Sequence, residues 1–170
     1  CLFAYDTSQT LSSQEEKCNA GGQITKLCGE NIHKLSEKIR TNKEIANFLK
    51  ALLNRKRNFG YEKSDNIQIR YFNTAEDVKG FLSSLSVDEW EVLRFTSQYD
   101  KEFHQEYSRT ESKTSHEVIG QEFEGVAVVI DKHFTYNQNG KLIYRGSAYY
   151  LADKMLFQNI TRARKRLLIV

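Results

Sequence analysis

The chain has 170 residues, of which 39% are hydrophobic and 28% are charged, and these values predict one ordinary soluble globular domain. No apolar run approaches the roughly 20 residues that a membrane-spanning helix needs. The net charge of +3 permits a nucleic-acid partner but is too small to indicate one. The three cysteines are odd in number and lack C-x-x-C spacing, which argues against a disulfide framework or a zinc site and favours a reducing cytoplasm.

The N-terminal segment predicts a buried strand and its exit loop. Leu2 to Tyr5 form a short apolar run that ends at Asp6, and the polar stretch TSQTLSSQEE follows it. The chain has no starting Met, and it begins and ends within predicted strands. We therefore expect it to be a fragment of a longer polypeptide.

The clearest local signal is a helix from about residue 42 to residue 54. Thr41 and Glu44 have the spacing of a capping box, and the apolar residues that follow recur at helical intervals. The basic run NRKRN comes next. We interpret it as the solvated end of this helix, because cations lie favourably near the negative pole of the helix dipole; nucleic-acid contact there is the less favoured interpretation.

Strands and helices then alternate towards the C-terminus. The strands are predicted at 67–71, 90–97, 126–130 and 165–170. One helix is predicted after Thr74, which opens it together with Asp77, and another between residues 151 and 163. Such alternation predicts an α/β fold with a mainly parallel sheet that helices cover on both faces.

Residues 131–149 interrupt this alternation. The run HFTYNQNGKLIYRG has two aromatic-rich arms around Asn139-Gly140, a strong signal for a two-residue β-hairpin turn. We expect a hairpin insertion that packs on its own domain. Stacking of its aromatic rings on the bases of a single nucleic-acid strand is the less favoured interpretation.

Two polar segments adjoin predicted strands and carry the candidate chemistry. The segment TSHEVIGQEF has the form T-x-H-x-x-x-G-x-E-F and leads into the buried strand, so a hydroxyl, an imidazole and a carboxylate are expected at the edge of the sheet. The segment LFQNITRARKRLLIV puts Arg162 at a helix end, just before a strand. We expect this guanidinium at the same edge, where open α/β sheets bind ligands at strand ends.

Together with AYDTSQT and LSEKIRTN, these segments resemble the motifs of superfamily 1 helicases of the UvrD/Rep type, and more closely the Schlafen-type helicase domain of bacterial ATP-binding proteins. The resemblance covers nearly the whole chain. It implies an α/β fold of the RecA-like (P-loop NTPase) type, with residues 1–170 as one C-terminal helicase domain. Within that range, residues 1–16 would be the last strand and motif loop of a preceding RecA-like domain, and residues 131–149 the hairpin insertion.

The resemblance also implies a role for each motif residue. The partners of the terminal phosphate of ATP, and hence the catalytic residues, are Gln9, Arg40 and Arg162. The residues at the nucleotide are Asp6, Gly120 and Glu122. The residues near the nucleic-acid backbone are Thr114 and His116. A planar guanidinium suits this task because the transferring phosphoryl group spreads its charge over several oxygens.

Taken one at a time, these residues have simpler explanations. His116 would by default be a hydrogen-bonded loop histidine, Glu122 a helix cap, and Arg162 part of a solvated basic run. Arg40 could pair with an acidic neighbour, and Gln9 could cap a loop. Their joint occurrence in the order of the family's motifs favours the functional interpretation.

ATP and Mg²⁺ are the implied cofactors, held jointly with the preceding N-terminal RecA-like domain. The chain has no G-K-T loop, no acidic pair in the proper context and no metal-ligand set of its own, so we expect the isolated fragment to be inactive. The longer polypeptide is expected to be a helicase or translocase on single-stranded DNA or RNA, with no membrane partner. Ile39 and Ile119 replace a Tyr and a Lys of the family, which leaves an alternative open: a non-motor nucleic-acid- or protein-binding module with a degenerate or regulatory ATPase.

Overall fold

The centre of the fold is a parallel β-sheet. A computed structural model describes residues 2–6, 10–33, 41–56 and 64–170. Its five sheet strands are β1 (Ile67–Ile69), β2 (Glu91–Arg94), β3 (Lys113–Thr114), β4 (Phe123–Val128) and β7 (Ala163–Ile169). They lie in the order β1-β7-β4-β2-β3, and every neighbouring pair is parallel. The predicted α/β fold with a mainly parallel sheet is confirmed.

Helices cover both faces of this sheet. The helices are α1 (Ser13–Cys18), α2 (Ala20–Cys28), α3 (Lys43–Leu53), α4 (Ala75–Ser84) and α5 (Ala152–Ile160), with a 3₁₀ helix at Phe103–Tyr107. Along β4, the side chains of Val126 and Val128 pack in one apolar cluster with α3 and α5. Ala127 packs in a second cluster with α4 on the opposite face. This alternation follows from the two-residue period of a strand.

The predicted hairpin is present, but its turn is longer than expected. Strands β5 (Phe134–Tyr136) and β6 (Leu142–Tyr144) pair antiparallel. The turn uses residues 137–141 because the Asn137 carboxamide oxygen accepts from the N–H groups of Asn139 and Lys141, at 2.9 and 3.0 Å. Gly140 supplies the positive φ of 75° that this turn needs. The hairpin packs on its own domain, as predicted, because the Tyr136 hydroxyl donates to the Leu52 carbonyl of α3 at 2.8 Å.

The helix predicted at 42–54 is confirmed as α3, but the predicted N-cap, Thr41, lies one residue before the true one. The Asn42 side chain accepts from the Ile45 N–H at 2.8 Å, so Asn42 is the N-cap. Tertiary contacts engage the two residues of the predicted capping box. The Thr41 hydroxyl donates to the Thr161 carbonyl at 3.2 Å, and the Glu44 carboxylate accepts from the Asn66 carboxamide at 2.7 Å.

The helix predicted to open at Thr74 is confirmed as α4, since the Thr74 side chain accepts from the Asp77 N–H at 3.1 Å. The helix predicted between 151 and 163 is confirmed as α5, although Ala163 already belongs to β7. None of the helices that the structure describes has the length and apolar character needed to cross a membrane.

The buried strand predicted at Leu2 to Tyr5 is not formed. Residues 2–6 have no regular secondary structure, and Leu2 is 98% exposed. Within the described ranges no strand pairs with this segment, and an apolar run without a neighbouring strand has no partner for its backbone groups. The interpretation of residues 1–16 as part of a preceding domain stays a prediction.

Candidate functional site

The segment TSHEVIGQEF crosses the sheet from one end to the other. Thr114 ends β3 and pairs with Arg94 at the carboxyl-terminal end of β2. Phe123 begins β4, which runs parallel to these strands, so the segment must return to the amino-terminal end. The length of β4 is roughly 17 Å at 3.3 Å per residue. The expectation of one shared edge is therefore wrong, because Thr114 and His116 lie at the carboxyl edge while Glu122 lies at the amino edge.

Arg162 lies at the amino edge, between α5 and β7. Its side chain is 2% exposed. The guanidinium donates from Nη1 to the Gln121 carbonyl at 3.1 Å and from Nε to the Gln158 carbonyl at 3.3 Å. The Phe123 N–H in turn donates to the Arg162 carbonyl at 2.9 Å. The second half of the T-x-H-x-x-x-G-x-E-F segment and the T-R-A segment thus meet, as predicted.

A third segment reaches the same edge. Arg40 lies outside the described residues, but Thr41 follows it directly, and its hydroxyl donates to the Thr161 carbonyl at 3.2 Å. The Asn42 carboxamide donates to the Lys165 carbonyl at 3.0 Å. The end of LSEKIRTN therefore lies against T-R-A, although 120 residues separate Thr41 from Thr161.

Gly120 and Glu122 complete the amino edge. Gly120 has a φ of 83°, a conformation that favours glycine, and an added Cβ would meet no atom within 4 Å. The Glu122 carboxylate lies 4.0 Å from the Arg164 guanidinium. Next to it, Glu124 hydrogen-bonds to Lys165, and this bond holds the pKa of the Glu124 carboxyl below its ordinary value. Cations and carboxylates alternate along this edge.

At the carboxyl edge, Thr114 caps a turn. The Glu117 carboxylate accepts from the Thr114 N–H at 2.7 Å and from the Thr114 hydroxyl at 2.9 Å. These two bonds lower the pKa of Glu117. The Glu117 N–H donates back to the Thr114 hydroxyl oxygen at 3.3 Å, which is the reciprocal pattern of a capping box. Thr114 is only 9% exposed, and its hydroxyl is already used to cap this turn. This structural role competes with the predicted contact to nucleic acid.

His116 is half-buried beside Thr96 and Tyr150. Its backbone N–H donates to the Thr96 hydroxyl oxygen at 3.2 Å, and its Nδ1 lies 2.7 Å from the same oxygen. The imidazole ring lies over the ring of Tyr150, with centroids 4.6 Å apart. The Tyr150 hydroxyl hydrogen-bonds to the Gln98 carboxamide at 3.1 Å. The loop after β2 therefore holds His116 from two sides.

The carboxylate that organises this loop, Glu102, was not singled out from the sequence. It is 5% exposed and accepts from the N–H groups of Gln98 at 2.8 Å and Tyr99 at 3.0 Å. Its second oxygen lies 3.0 Å from His104 Nε2 and 3.4 Å from the Tyr149 N–H. Burial acts to raise the pKa of Glu102, but these donors outweigh it and hold the pKa below its ordinary value. The available signal was the spacing of Glu102 and Gln105, which form a capping box.

One predicted residue, Asp6, is not brought to Arg162. Gln9 lies outside the described residues. Asp6 is exposed and lines an open pocket with Tyr5 and Lys154, near the amino-terminal end of α5. Roughly 9 Å of helix, at 1.5 Å per residue, separates Lys154 from Ile160, the last residue of α5, and Arg162 lies beyond that end.

In the ranges that the structure covers, no group of three or more His, Cys, Asp or Glu side chains could hold a metal ion. No protein-family model matches the chain. No curated protein matches it at a significant level either.

Proposed function

We propose that the chain is a RecA-like domain that forms the C-terminal half of an ATP-dependent superfamily 1 helicase or translocase. One observation carries the proposal: three segments that are distant in sequence meet at the amino edge of the sheet. The bonds of Thr41 to Thr161 and of Arg162 to Gln121 join them. These are the segments whose motifs resemble the family, and a chance resemblance gives no reason for them to meet.

ATP with Mg²⁺, shared with a preceding RecA-like domain, would supply the phosphoryl group whose transfer drives such a motor. The residues at the amino edge fit part of a nucleotide. Arg162 offers a planar cation that its two carbonyl partners already orient. Gly120 leaves open space in front of the turn. Glu122 contributes a carboxylate at the same edge, which can accept a hydrogen bond from a sugar hydroxyl.

The carboxyl edge is proposed to contact a single strand of DNA or RNA. His116 can donate a hydrogen bond to a backbone oxygen, and half to two-thirds of the hydrogen bonds in protein–DNA complexes go to phosphate and sugar. The two ligands would then lie at opposite ends of the strands.

We propose a cytoplasmic location on the cysteine pattern alone.

The second candidate is a non-motor module for nucleic-acid or protein binding. Two observations favour it. The Thr114 hydroxyl is engaged by Glu117, and the Arg162 guanidinium donates to two backbone carbonyls. Both residues therefore have structural tasks that would keep them in place even if ATP hydrolysis were lost.

The deciding experiment compares Arg162→Lys with Arg164→Lys in the full-length polypeptide that contains this chain. Lysine keeps the charge but loses the planar fork, so Arg162→Lys should lower ATP turnover by roughly 100-fold or more. Arg164 is 56% exposed, and its replacement should leave turnover within about twofold. Turnover is measured with and without a single-stranded oligonucleotide.

Because Arg162 is buried, folding must be checked separately. Circular dichroism melts of both variants report folding, and Glu122→Gln supplies a second test at a partly exposed side chain. Normal turnover in Arg162→Lys and in Glu122→Gln would contradict the motor and favour the non-motor module. No turnover in the unmodified polypeptide would do the same.

A further inference from the structure

The loop that follows β2 holds His116 through two contacts to the Thr96 hydroxyl. The Thr96 hydroxyl has one proton and accepts through its oxygen. The His116 backbone N–H has only a proton to offer, so at 3.2 Å it must donate to the Thr96 oxygen. A second lone pair remains on that oxygen, so the 2.7 Å contact to His116 Nδ1 is compatible with either direction. Donation from Thr96 to Nδ1 is the arrangement that gives the hydroxyl proton an acceptor, because the described residues offer it no other.

Acceptance at Nδ1 fixes the protonation of the ring. In a neutral imidazole one nitrogen carries the proton and the other accepts. If Nδ1 accepts from Thr96, the proton lies on Nε2. Within the described residues, Nε2 of His116 has no hydrogen-bond partner. Nε2 of His116 is not among the buried side-chain atoms that lack a partner, so this edge of the ring is open to a ligand.

The position of the ring is fixed from a second direction. The His116 ring packs against Tyr150 with centroids 4.6 Å apart and an angle of 56° between the rings. The Tyr150 hydroxyl bonds to Gln98, two residues after Thr96. Glu102 then ties this loop to the Tyr149–Tyr150 segment, by accepting from the N–H groups of Gln98 and Tyr149. One loop thus determines both the position of the His116 ring and which of its nitrogens carries the proton.

We propose that Thr96 is a positioning residue that donates to Nδ1 of His116 and so keeps the donor N–H of the ring on Nε2, ready to donate to one oxygen of a nucleic-acid phosphodiester. The tautomer is a property of the folded chain alone. The identity of the ligand rests on the proposed function. The two parts can therefore fail separately.

The first measurement reads the tautomer directly. Long-range ¹H–¹⁵N correlation spectra of the histidine-labelled chain distinguish Nδ1–H from Nε2–H rings, and a His116→Gln variant assigns the His116 signals among the four histidines. We expect the Nε2–H pattern in the unmodified chain. Thr96→Val, which keeps the shape of the side chain and removes its proton, should shift His116 towards a mixture of tautomers. Thr96→Ser should retain the original pattern.

The second measurement reads the ligand. Fluorescence anisotropy with a single-stranded oligonucleotide should show an affinity reduced by about tenfold in Thr96→Val. This is close to the effect of losing one hydrogen bond to a charged group. Thr96→Ser should bind normally. Thr110→Val is the matched control, because Thr110 is exposed and its hydroxyl bonds, within the described part of the chain, only to its neighbour Glu111.

Each outcome decides one part of the proposal. An Nδ1–H signal for His116 in the unmodified chain would overturn it without the Thr96 variants, even if Thr96→Val failed to fold. An unchanged His116 pattern in folded Thr96→Val would overturn the positioning role. The expected tautomers together with no strand binding by any form would support positioning and contradict the nucleic-acid function.

Discussion

At the scale of single residues, the buried pair of Glu102 and His104 shows how burial sets protonation. His104 is 3% exposed, and its Nε2 lies 3.0 Å from a Glu102 oxygen. Burial lowers the pKa of His104, and the neighbouring carboxylate only partly opposes this. Among the described residues Nδ1 has no hydrogen-bond partner. A proton added there would be a buried donor without an acceptor, which is costly.

This pair predicts a loss of stability in mild acid. In the unfolded chain a histidine has its ordinary pKa of 6.5, so below that pH the unfolded state binds more protons than the folded state. The free energy of unfolding should therefore fall as the pH drops from 7 to 5. Glu102, whose pKa is also lowered, acts in the same direction below its ordinary value of 4.5.

The test is urea denaturation at pH 7, 6 and 5 with His104→Gln as the comparison. Glutamine can still donate to Glu102 but does not titrate, so its stability should change less over this range. His33→Gln is the matched control, since His33 is exposed. Equal pH dependence in the unmodified chain and in His104→Gln would contradict the assignment.

At the scale of elements, the pairing of β4 with β7 is irregular close to the amino edge. The register of the two strands shifts between Phe123 and Gly125. A Cβ on Gly125 would lie 2.5 Å from the Glu89 carbonyl oxygen and 3.2 Å from the Trp90 ring. Backbone atoms cannot yield as a flexible side chain would. Glycine is thus required here for close approach, and the bulge it permits lies next to Glu122 and Glu124.

The same substitution at two glycines should have opposite effects. Gly125→Ala should lower the free energy of unfolding, by roughly 1–3 kcal/mol for an overpacked core site. Gly80→Ala should raise it by roughly 0.5–1 kcal/mol, because Gly80 is exposed within α4 and an added Cβ meets nothing within 4 Å. Thermal and urea denaturation of the chain measure both. Equal effects of the two changes would show that the close approach at Gly125 is unimportant.

Elements whose signals are local were predicted well from the sequence. The apolar period of α3 and the Thr74 cap of α4 depend on residues a few positions apart, and both are confirmed. Features that depend on distant partners were not. Thr41 was assigned a capping role because nothing local shows that its hydroxyl bonds to Thr161. Glu102 was missed because its local capping-box spacing with Gln105 does not show that the fold also brings the Tyr149 N–H to its carboxylate.

At the scale of the whole molecule, strand order decides which motif residues meet. The sequence put Thr114, His116, Glu122 and Arg162 at one edge because three of them lie within nine residues. The connection from β3 to β4 must traverse the sheet, since both strands run the same way. No local pattern reveals that direction. The sheet order separates the two halves of the segment, and only the fold could show it.

This separation predicts that the two ligands respond to different substitutions. In the full-length polypeptide, Glu122→Ala should impair nucleotide use and leave single-strand binding unchanged. His116→Ala should weaken single-strand binding and the stimulation of ATP turnover by it, with basal turnover little changed. His116 is a cleaner probe than Thr114, whose loss would also remove the Glu117 turn cap.

Binding is measured by fluorescence anisotropy at two salt concentrations, because phosphate contacts weaken with salt. Glu117→Gln serves as the control for disturbance of the turn itself. If Glu122→Ala and His116→Ala impaired both activities equally, the assignment of the two ligands to opposite edges would be wrong.

The central place of β7 in the sheet has a consequence for synthesis. β7 is the last strand of the sheet in chain order, yet it lies between β1 and β4 and pairs with both. During translation β1 leaves the ribosome with no strand to pair with until the residues of β7 have also emerged. Strands β2, β3 and β4 can pair with one another earlier, but β1 and one edge of β4 stay unpaired until this seven-residue strand has emerged. Until then the nascent chain exposes apolar surface and an unpaired strand edge, and both favour aggregation.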